Sequence, residues 1–272
     1  MRNMNVIIKQ FIIATLGLVL LNACGKQTTF PDIIREPSAN HGQVRFYNFV
    51  MNGPTVNFYA NGIKSTSIVS ATGEEAATGV GWGGTHPSIG YVEIPVGTNV
   101  KIDAITPKNM VIPANNINNY EKSLLAASLT IPKVEGLKQY SVYLCGLWDK
   151  VTQKGKAFYI EDQLPGVDTS KVFMRFVNSG VEEAGPLRFV VTNRDTLIGS
   201  FIISESIPYA TATSFVAVPY GVYDLKLYTM QGDSLIRNGI TLNPDRVHTF
   251  ALRGNILSKT PIAPFIDNVQ NR

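Results

Sequence analysis

Two cysteines are weighed first, because a thiolate is among the strongest nucleophiles a protein carries. Cys24 closes the run Leu21-Asn22-Ala23-Cys24, with Gly25 after it. An apolar residue stands three places before the thiol and a small one just before it. Upstream, Met1 to Gln10 carries Arg2 and Lys9 and no acid, and Phe11 to Leu21 is free of charge. A charged n-region, an apolar h-region and a small-residue cleavage site mark an exported precursor. Eleven residues make about 17 Å of helix, against a hydrocarbon core of ~30 Å, so the run reads as a removable signal and not a span. Cys145 lies in Tyr140-Ser-Val-Tyr-Leu-Cys145-Gly146, a strand pattern. A catalytic thiol needs a histidine partner. The chain offers His41, His86 and His248, none beside an orienting carboxylate. Cys145 therefore reads as a small buried apolar residue.

Other chemistries find less support. Gly79-Val-Gly81-Trp-Gly-Gly84 has the glycine spacing of a dinucleotide turn, but Thr85-His86-Pro87 follows and no helix begins, so nothing would face a pyrophosphate. Glu74-Glu75 and Glu182-Glu183 are paired acids in polar segments, which read as solvated and not as a glycosidase pair. The sequence shows no calcium-loop spacing, no His/Cys cluster for zinc and no G-x-S-x-G turn. It predicts no catalytic residue, no metal site and no cofactor. The remaining candidates are rings in loops: Trp82 among glycines, Tyr120 after Asn115-Asn-Ile-Asn-Asn119, and Trp148 at a strand end. Exposed rings beside amides suit a glycan or peptide ligand. The competing reading is that the same rings cap the ends of a core.

Leu21 to Gly25 resembles the lipobox of bacterial lipoprotein precursors. That resemblance implies cleavage before Cys24, acylation of Cys24 with lipid (palmitate among the chains), and a membrane as partner. Removing residues 1–23 leaves 249 of 272, enough for one large domain or two ordinary ones. Arg2 and Lys9 leave with the signal, so 22 basic residues face 20 acidic ones, a net of +2. There is no basic cluster, which speaks against nucleic acid as partner. Gly25 to Gly42 lacks apolar periodicity and reads as a tether.

From Gln43 onward, short apolar runs alternate with turn residues. Val44 to Phe49, Thr55 to Ala60, Ile63 to Val69, Tyr91 to Ile94, Asn99 to Ile105, Ala127 to Ile131, Tyr140 to Leu147 and Lys156 to Glu161 read as strands. Asn61-Gly62 reads as a tight hairpin turn. Tyr120 to Ala127 is the one segment expected to make a helical turn or two.

The chain then repeats itself. Val44-Arg-Phe-Tyr-Asn48 matches Met174-Arg-Phe-Val-Asn178, and Gly53-Pro54 with its strand matches Gly185-Pro186 with Leu187 to Thr192. Tyr91 to Gly97 matches Phe215 to Gly221, and Tyr140 to Gly146 matches His248 to Gly254. Four matches in one order imply two copies of one domain. About seven short strands per copy, with Gly, Pro and Asn between them, predict an antiparallel β-sandwich.

These segments, together with Phe158-Tyr-Ile-Glu-Asp162 leading through Pro165 into Arg175-Phe-Val-Asn178, resemble the bacterial family catalogued as domain of unknown function 4397. The resemblance covers most of Gln43 to Gly254. It implies exported Ig-like repeats without an established activity. Where that family carries a Ser-Pro-Asp-Ala-Pro-like loop, this chain has Phe49-Val-Met-Asn-Gly-Pro54 and Ser179 to Pro186.

The expectation is an all-β chain of two tandem Ig-like antiparallel β-sandwiches after a lipoprotein signal peptide and tether. The signal is 1–23, the lipidated tether 24–42, copy 1 43–163, copy 2 168–258, and the C-terminal tail 259–272. The copies are expected to fold separately. The expected role is a non-catalytic binding or structural module in the cell envelope, lipid-anchored in the outer membrane, with a glycan or an envelope protein as partner. The alternatives are a glycan-binding accessory of an uptake system, with Trp82, Tyr120 and Trp148 as its rings, and an envelope hydrolase.

Overall fold

The structure, a computed structural model, describes residues 38–66, 78–258 and 263–272, with the backbone of two short strands at Ile68–Val69 and Glu74–Glu75. The signal, Cys24, the tether as far as residue 37 and the side chains of Glu74-Glu75 lie outside them. The described chain falls within one compact unit, Glu36–Arg272.

Copy 1 contains β1 (His41–Asn48), β2 (Asn57–Ala60), β3 (Ile63–Lys64), β4 (Ile68–Val69), β5 (Glu74–Glu75), β6 (Gly84–His86), β7 (Val92–Pro95), β8 (Gly97–Ile105), β9 (Leu125–Val134), β10 (Gln139–Asp149) and β11 (Lys154–Glu161). Copy 2 contains β12 (Val172–Val177), β13 (Leu187–Asn193), β14 (Ser200–Ile207), β15 (Val216–Val218), β16 (Gly221–Thr229), β17 (Ser234–Leu242), β18 (Val247–Arg253) and β19 (Phe265–Gln270). Each copy packs two sheets face to face. They are β11-β10-β1-β6, with β7 also on β1, over β3-β2-β8-β9, and β15-β12-β18-β19 over β14-β13-β16-β17.

The fold is all-β, as expected, and most pairs are antiparallel. The difference lies at the sheet centres, where β1 runs parallel to β10 and β12 parallel to β18. The repeat holds at the level of register. Val44 pairs with Tyr140 and Met174 with His248; Val44 pairs with Val92 and Met174 with Val216. Each pair is the one that matching the segments requires.

The shared Arg-Phe-x-Asn motif has a physical reason at each position. Phe46 stacks on Phe58 at 4.6 Å inside copy 1, and Phe176 lies 4.6 Å from Phe189 inside copy 2. The second ring of each pair sits on the strand that follows the Gly-Pro of its own copy. The Asn48 amide donates to the Pro54 and Val80 carbonyls at 3.0 and 2.8 Å; the Asn178 amide donates to Gly185 and Ile207 at 3.2 and 3.0 Å. Each asparagine ties the end of its strand to the loops that close the sandwich. A buried amide so held contributes about 1 kcal/mol per hydrogen bond. Asn61 and Gly62 have φ of 48° and 80°, the doubly left-handed turn that their residue types favour.

Two expectations need correction. Residues 120–127 make no helix: Leu125 opens β9, after a turn in which Ser123 has φ of 55°. The segment 259–272 is not only a tail. β19 pairs along β18 from His248 to Arg253, and the Asn271 N–H donates to the Val247 carbonyl at 2.7 Å. The Asp162 N–H makes the matching bond to Gln139 at 2.7 Å. β19 is therefore the counterpart of β11 and completes copy 2.

Both faces of β1 and β10 are buried. Val44, Phe46, Tyr140, Val142 and Leu144 enter the core of copy 1. The alternate residues Tyr47 and Tyr143 join Phe49, Val177 and Ala251 in a second cluster between the copies. Tyr47 stacks on Tyr143 at 4.3 Å, and Tyr143 on Phe158 at 5.1 Å. At the equivalent places copy 2 has Val177 and Ala251. Large rings of one copy thus fill space left by small residues of the other. The copies share a core, and separate folding is not what this packing supports.

Candidate functional site

The residues with the most chemistry meet in the joint between the copies. Strand alternation turns Arg45 of β1 and Arg175 of β12 away from their own cores toward each other's sheets. Both are buried. Asp162, just past β11, accepts the Tyr91 hydroxyl at 2.9 Å and the Ser141 hydroxyl at 2.7 Å, and pairs with the Arg175 guanidinium. Arg175 also donates from Nε to the Thr249 hydroxyl at 3.0 Å and lies 4.6 Å over the Phe215 ring. Arg45 donates from Nε to the Gly90 carbonyl at 2.7 Å and from Nη1 to the Gln270 carbonyl at 2.9 Å, and sits 5.1 Å over Tyr91. Tyr91 in turn accepts from the Asn271 amide at 2.9 Å, and Thr249 donates to Asn271 at 2.6 Å.

This network is a pseudo-symmetric pair. Arg45 matches Arg175, Tyr91 matches Phe215, Ser141 matches Thr249, and Asp162 matches Asn271. Burial pushes the Tyr91 hydroxyl well up, and the Asp162 charge adds to the rise. Burial alone would lower the Arg175 guanidinium, but the adjacent carboxylate outweighs it and the group is held charged. These groups are committed to one another. Removing one partner of a buried ion pair of this kind strands a charge in the interior, so the pair is costly to break.

The ring candidates divide. Trp148 is 4% exposed and packs into the core of copy 1, its Nε1 donating to the Asn118 carbonyl at 2.9 Å. Tyr120 meets it edge-on at 6.3 Å and donates from its hydroxyl to the Asn52 carbonyl at 2.8 Å. They cap one end of the sandwich. Trp82 faces the other copy: the Arg253 guanidinium of copy 2 covers its ring at 4.2 Å. Arg253 is also held by Asp267, at 2.8 Å, and lies 5.4 Å over Phe265. A Cβ on Gly83, whose φ is 76°, would come within 2.4 Å of that guanidinium. The glycine run is thus a close seat for a side chain of the other copy, and no helix follows it. Tyr120 and Trp148 therefore touch each other, whereas the Trp82 ring is covered by Arg253.

Cys145 is buried, as expected, but in the joint and not in its own core. Its Sγ lies 3.2 Å from the Tyr209 hydroxyl of copy 2, and burial pushes the thiol up to about 12. Glu182, in a 3-10 turn at Glu182–Ala184, pairs with Lys156 across the joint. Among the described residues no group of acids, histidines or cysteines is placed to hold a metal, and no helix is long and apolar enough to cross a membrane. Cys24 lies outside the described residues.

Sequence reasoning missed the Asp162 network. Its signal was present: an arginine inside an apolar strand motif, at Arg45 and again at Arg175.

No protein-family model matches the chain, and no curated protein matches it. Among solved structures it is similar to a Bacteroides ovatus ATCC 8483 protein proposed to act in cell adhesion, at 8% identity over 86% of this chain and 97% of that one, with a TM-score of 0.22. It is also similar to the fimbrial anchor protein Mfa2 of Porphyromonas gingivalis, at 11% identity over 85% and 97%, with a TM-score of 0.21.

Proposed function

We propose that the protein is a cell-envelope lipoprotein, anchored in the outer membrane through lipid on Cys24, whose folded part is a non-catalytic structural module resembling a tandem pair from the domain of unknown function 4397 family. One observation carries the structural half of this reading. The charged and aromatic groups that could have served a ligand or a reaction hold the two copies together: Asp162, Arg175, Arg45, Tyr91, Trp82 and Tyr143. The product is one stiff body on a tether. The lipobox supports the anchoring half.

Fractionation of cells producing the parent and Cys24→Ala, after metabolic labelling with palmitate, tests it. The parent should carry label and sediment with outer membranes, whereas the variant should be unlabelled and released or left as precursor. A variant that sediments like the parent refutes the anchor.

A further inference from the structure

The chain enters the folded body at Ser38 and Ala39, and the β9–β10 turn packs on that entry. The Leu137 N–H donates to the Ser38 carbonyl at 3.0 Å, and a Cβ on Gly136 would lie 2.0 Å from the Ala39 carbonyl. Leu137 itself has φ of 66° and is 62% exposed. Asn, Asp and Gly enter this conformation far more readily than a leucine does. Copy 2 shows the ordinary choice. Asp245, at the matching position, has φ of 61°, and its N–H also ties to the chain entering that copy, at the Lys171 carbonyl, 3.0 Å away. Local structure does not ask for leucine at 137, and neither does packing.

Leu137 is not alone at this end. Val96, in the turn after Pro95, which pairs with His41, is 41% exposed. The matching end of copy 2 presents Tyr220 and Leu197. Both copies point this end the same way. Cys145–Tyr209 and Lys156–Glu182 join the ends at which β1 and β12 finish, and Asp162–Arg175 joins the start of β10, beside the start of β1, to the middle of β12. The charge beside Leu137 is already compensated: Lys133 and Lys138 pair with Glu135, and Lys138 with Glu161.

We propose that this end of the body rests on the lipid bilayer, with Leu137 and Val96 seated among the head groups and upper acyl chains. The proposal rests on the reading of Cys24 as the acylated residue. The stretch from Cys24 to Ser38 is a tether of up to about 50 Å when extended, so contact is allowed and not forced. The bilayer is the apolar phase to which the same end of the chain is fixed. Tethering raises the local concentration of membrane enough for a few apolar side chains to hold the contact. With its charges paired, the contact is apolar and insensitive to salt.

The test uses the full acylated chain in vesicles of phosphatidylethanolamine and phosphatidylglycerol. Bimane is placed at Leu137→Cys or at Val151→Cys, which is 85% exposed at the other end of β10, about 35 Å along the strand. Cys145 is buried and Cys24 is blocked by lipid, so the new thiol takes the label. Brominated acyl chains should quench the label at 137 several-fold more than the label at 151, in low and high salt alike. The variant Leu137→Asp carries the residue of copy 2 and should melt like the parent, yet lower the quenching of a label at Val96→Cys several-fold. Protein that floats with the vesicles but shows equal, weak quenching at 137 and 151 overturns the membrane contact alone. Protein that does not float overturns the anchor and the contact with it.

Discussion

Replacing Asp162 with alanine should destabilise the whole described body and not one copy. The Asp162 side chain is fully buried and Arg175 nearly so. Removing one partner of such a pair leaves a cation without compensation, at a cost of about 3–5 kcal/mol. The Tyr91 and Ser141 hydroxyls lose their acceptor as well, for about 1 kcal/mol each if no water replaces it. The total of about 5–7 kcal/mol is a large part of the ~5–15 kcal/mol that holds a typical domain folded. With a urea slope of roughly 3 kcal/mol/M, the midpoint should fall by about 2 M. Urea titration followed by tyrosine and tryptophan fluorescence measures this in one cooperative transition. Asp162→Asn separates charge from hydrogen bonding, because it supplies the residue that stands at position 271 in copy 2. It keeps an acceptor for Tyr91 and Ser141 but not the charge, so it should lose more than half as much. If Asp162→Asn unfolds with the parent midpoint, the ion pair does not hold the joint and the reasoning fails.

The other predictions concern neighbouring parts of the joint. Residues 43–163 expressed alone should expose Tyr47, Tyr143 and Phe49 and bind a hydrophobic dye; a soluble, cooperatively folding, dye-silent fragment would show that the shared core is dispensable. Trp82→Ala removes the ring beneath Arg253 and should lower stability by about 0.5–2 kcal/mol in thermal melts, and an unchanged melt would deny the contact any weight. Cys145 should react with a thiol reagent only after denaturant is added, because burial holds the thiol at about 12; rapid labelling of the native protein would contradict its placement. Burial also holds His86 and His248 below their ordinary range. The unfolded chain then binds more protons, so their contribution is complete above the unfolded value of about 6.5 and is lost as pH falls through it toward the folded values. Stability should drop as pH falls from about 7 through the unfolded value, and the double variant His86→Gln, His248→Gln should flatten that segment of the curve.

Part of this fold is legible in the chain. The two Arg-Phe-x-Asn motifs imply the two registers on β10 and β18, because each residue of the motif has a partner of the same kind in each copy. Asn61-Gly62 implies its own turn. The joint is harder to read because it depends on faces, not on segments. Val44 to Phe49 is apolar on both faces apart from Arg45 and Asn48, which is the mark of a strand covered on two sides. A single sandwich does not need that, and the second cover comes from Val177 and Ala251, in the other half of the chain. β19 is hidden for the opposite reason: Phe265-Ile-Asp-Asn-Val-Gln has little alternation, and its place is set by pairing with β18. Trp82 looks presented in the sequence because it stands among glycines. Its cover, Arg253, comes from the far end of the second copy.

The central position of β1 has a mechanical consequence. A chain held at its amino-terminal end transmits any pull on the body through Ser38 into this strand. β1 is hydrogen-bonded on both sides, to β10 along one edge and to β6 and β7 along the other. Tension along its axis loads these bonds in shear, many at once, and does not peel them off in sequence. The strand that bears the load is also the one that carries Arg45 and Tyr47 into the joint, so the second copy braces it from behind.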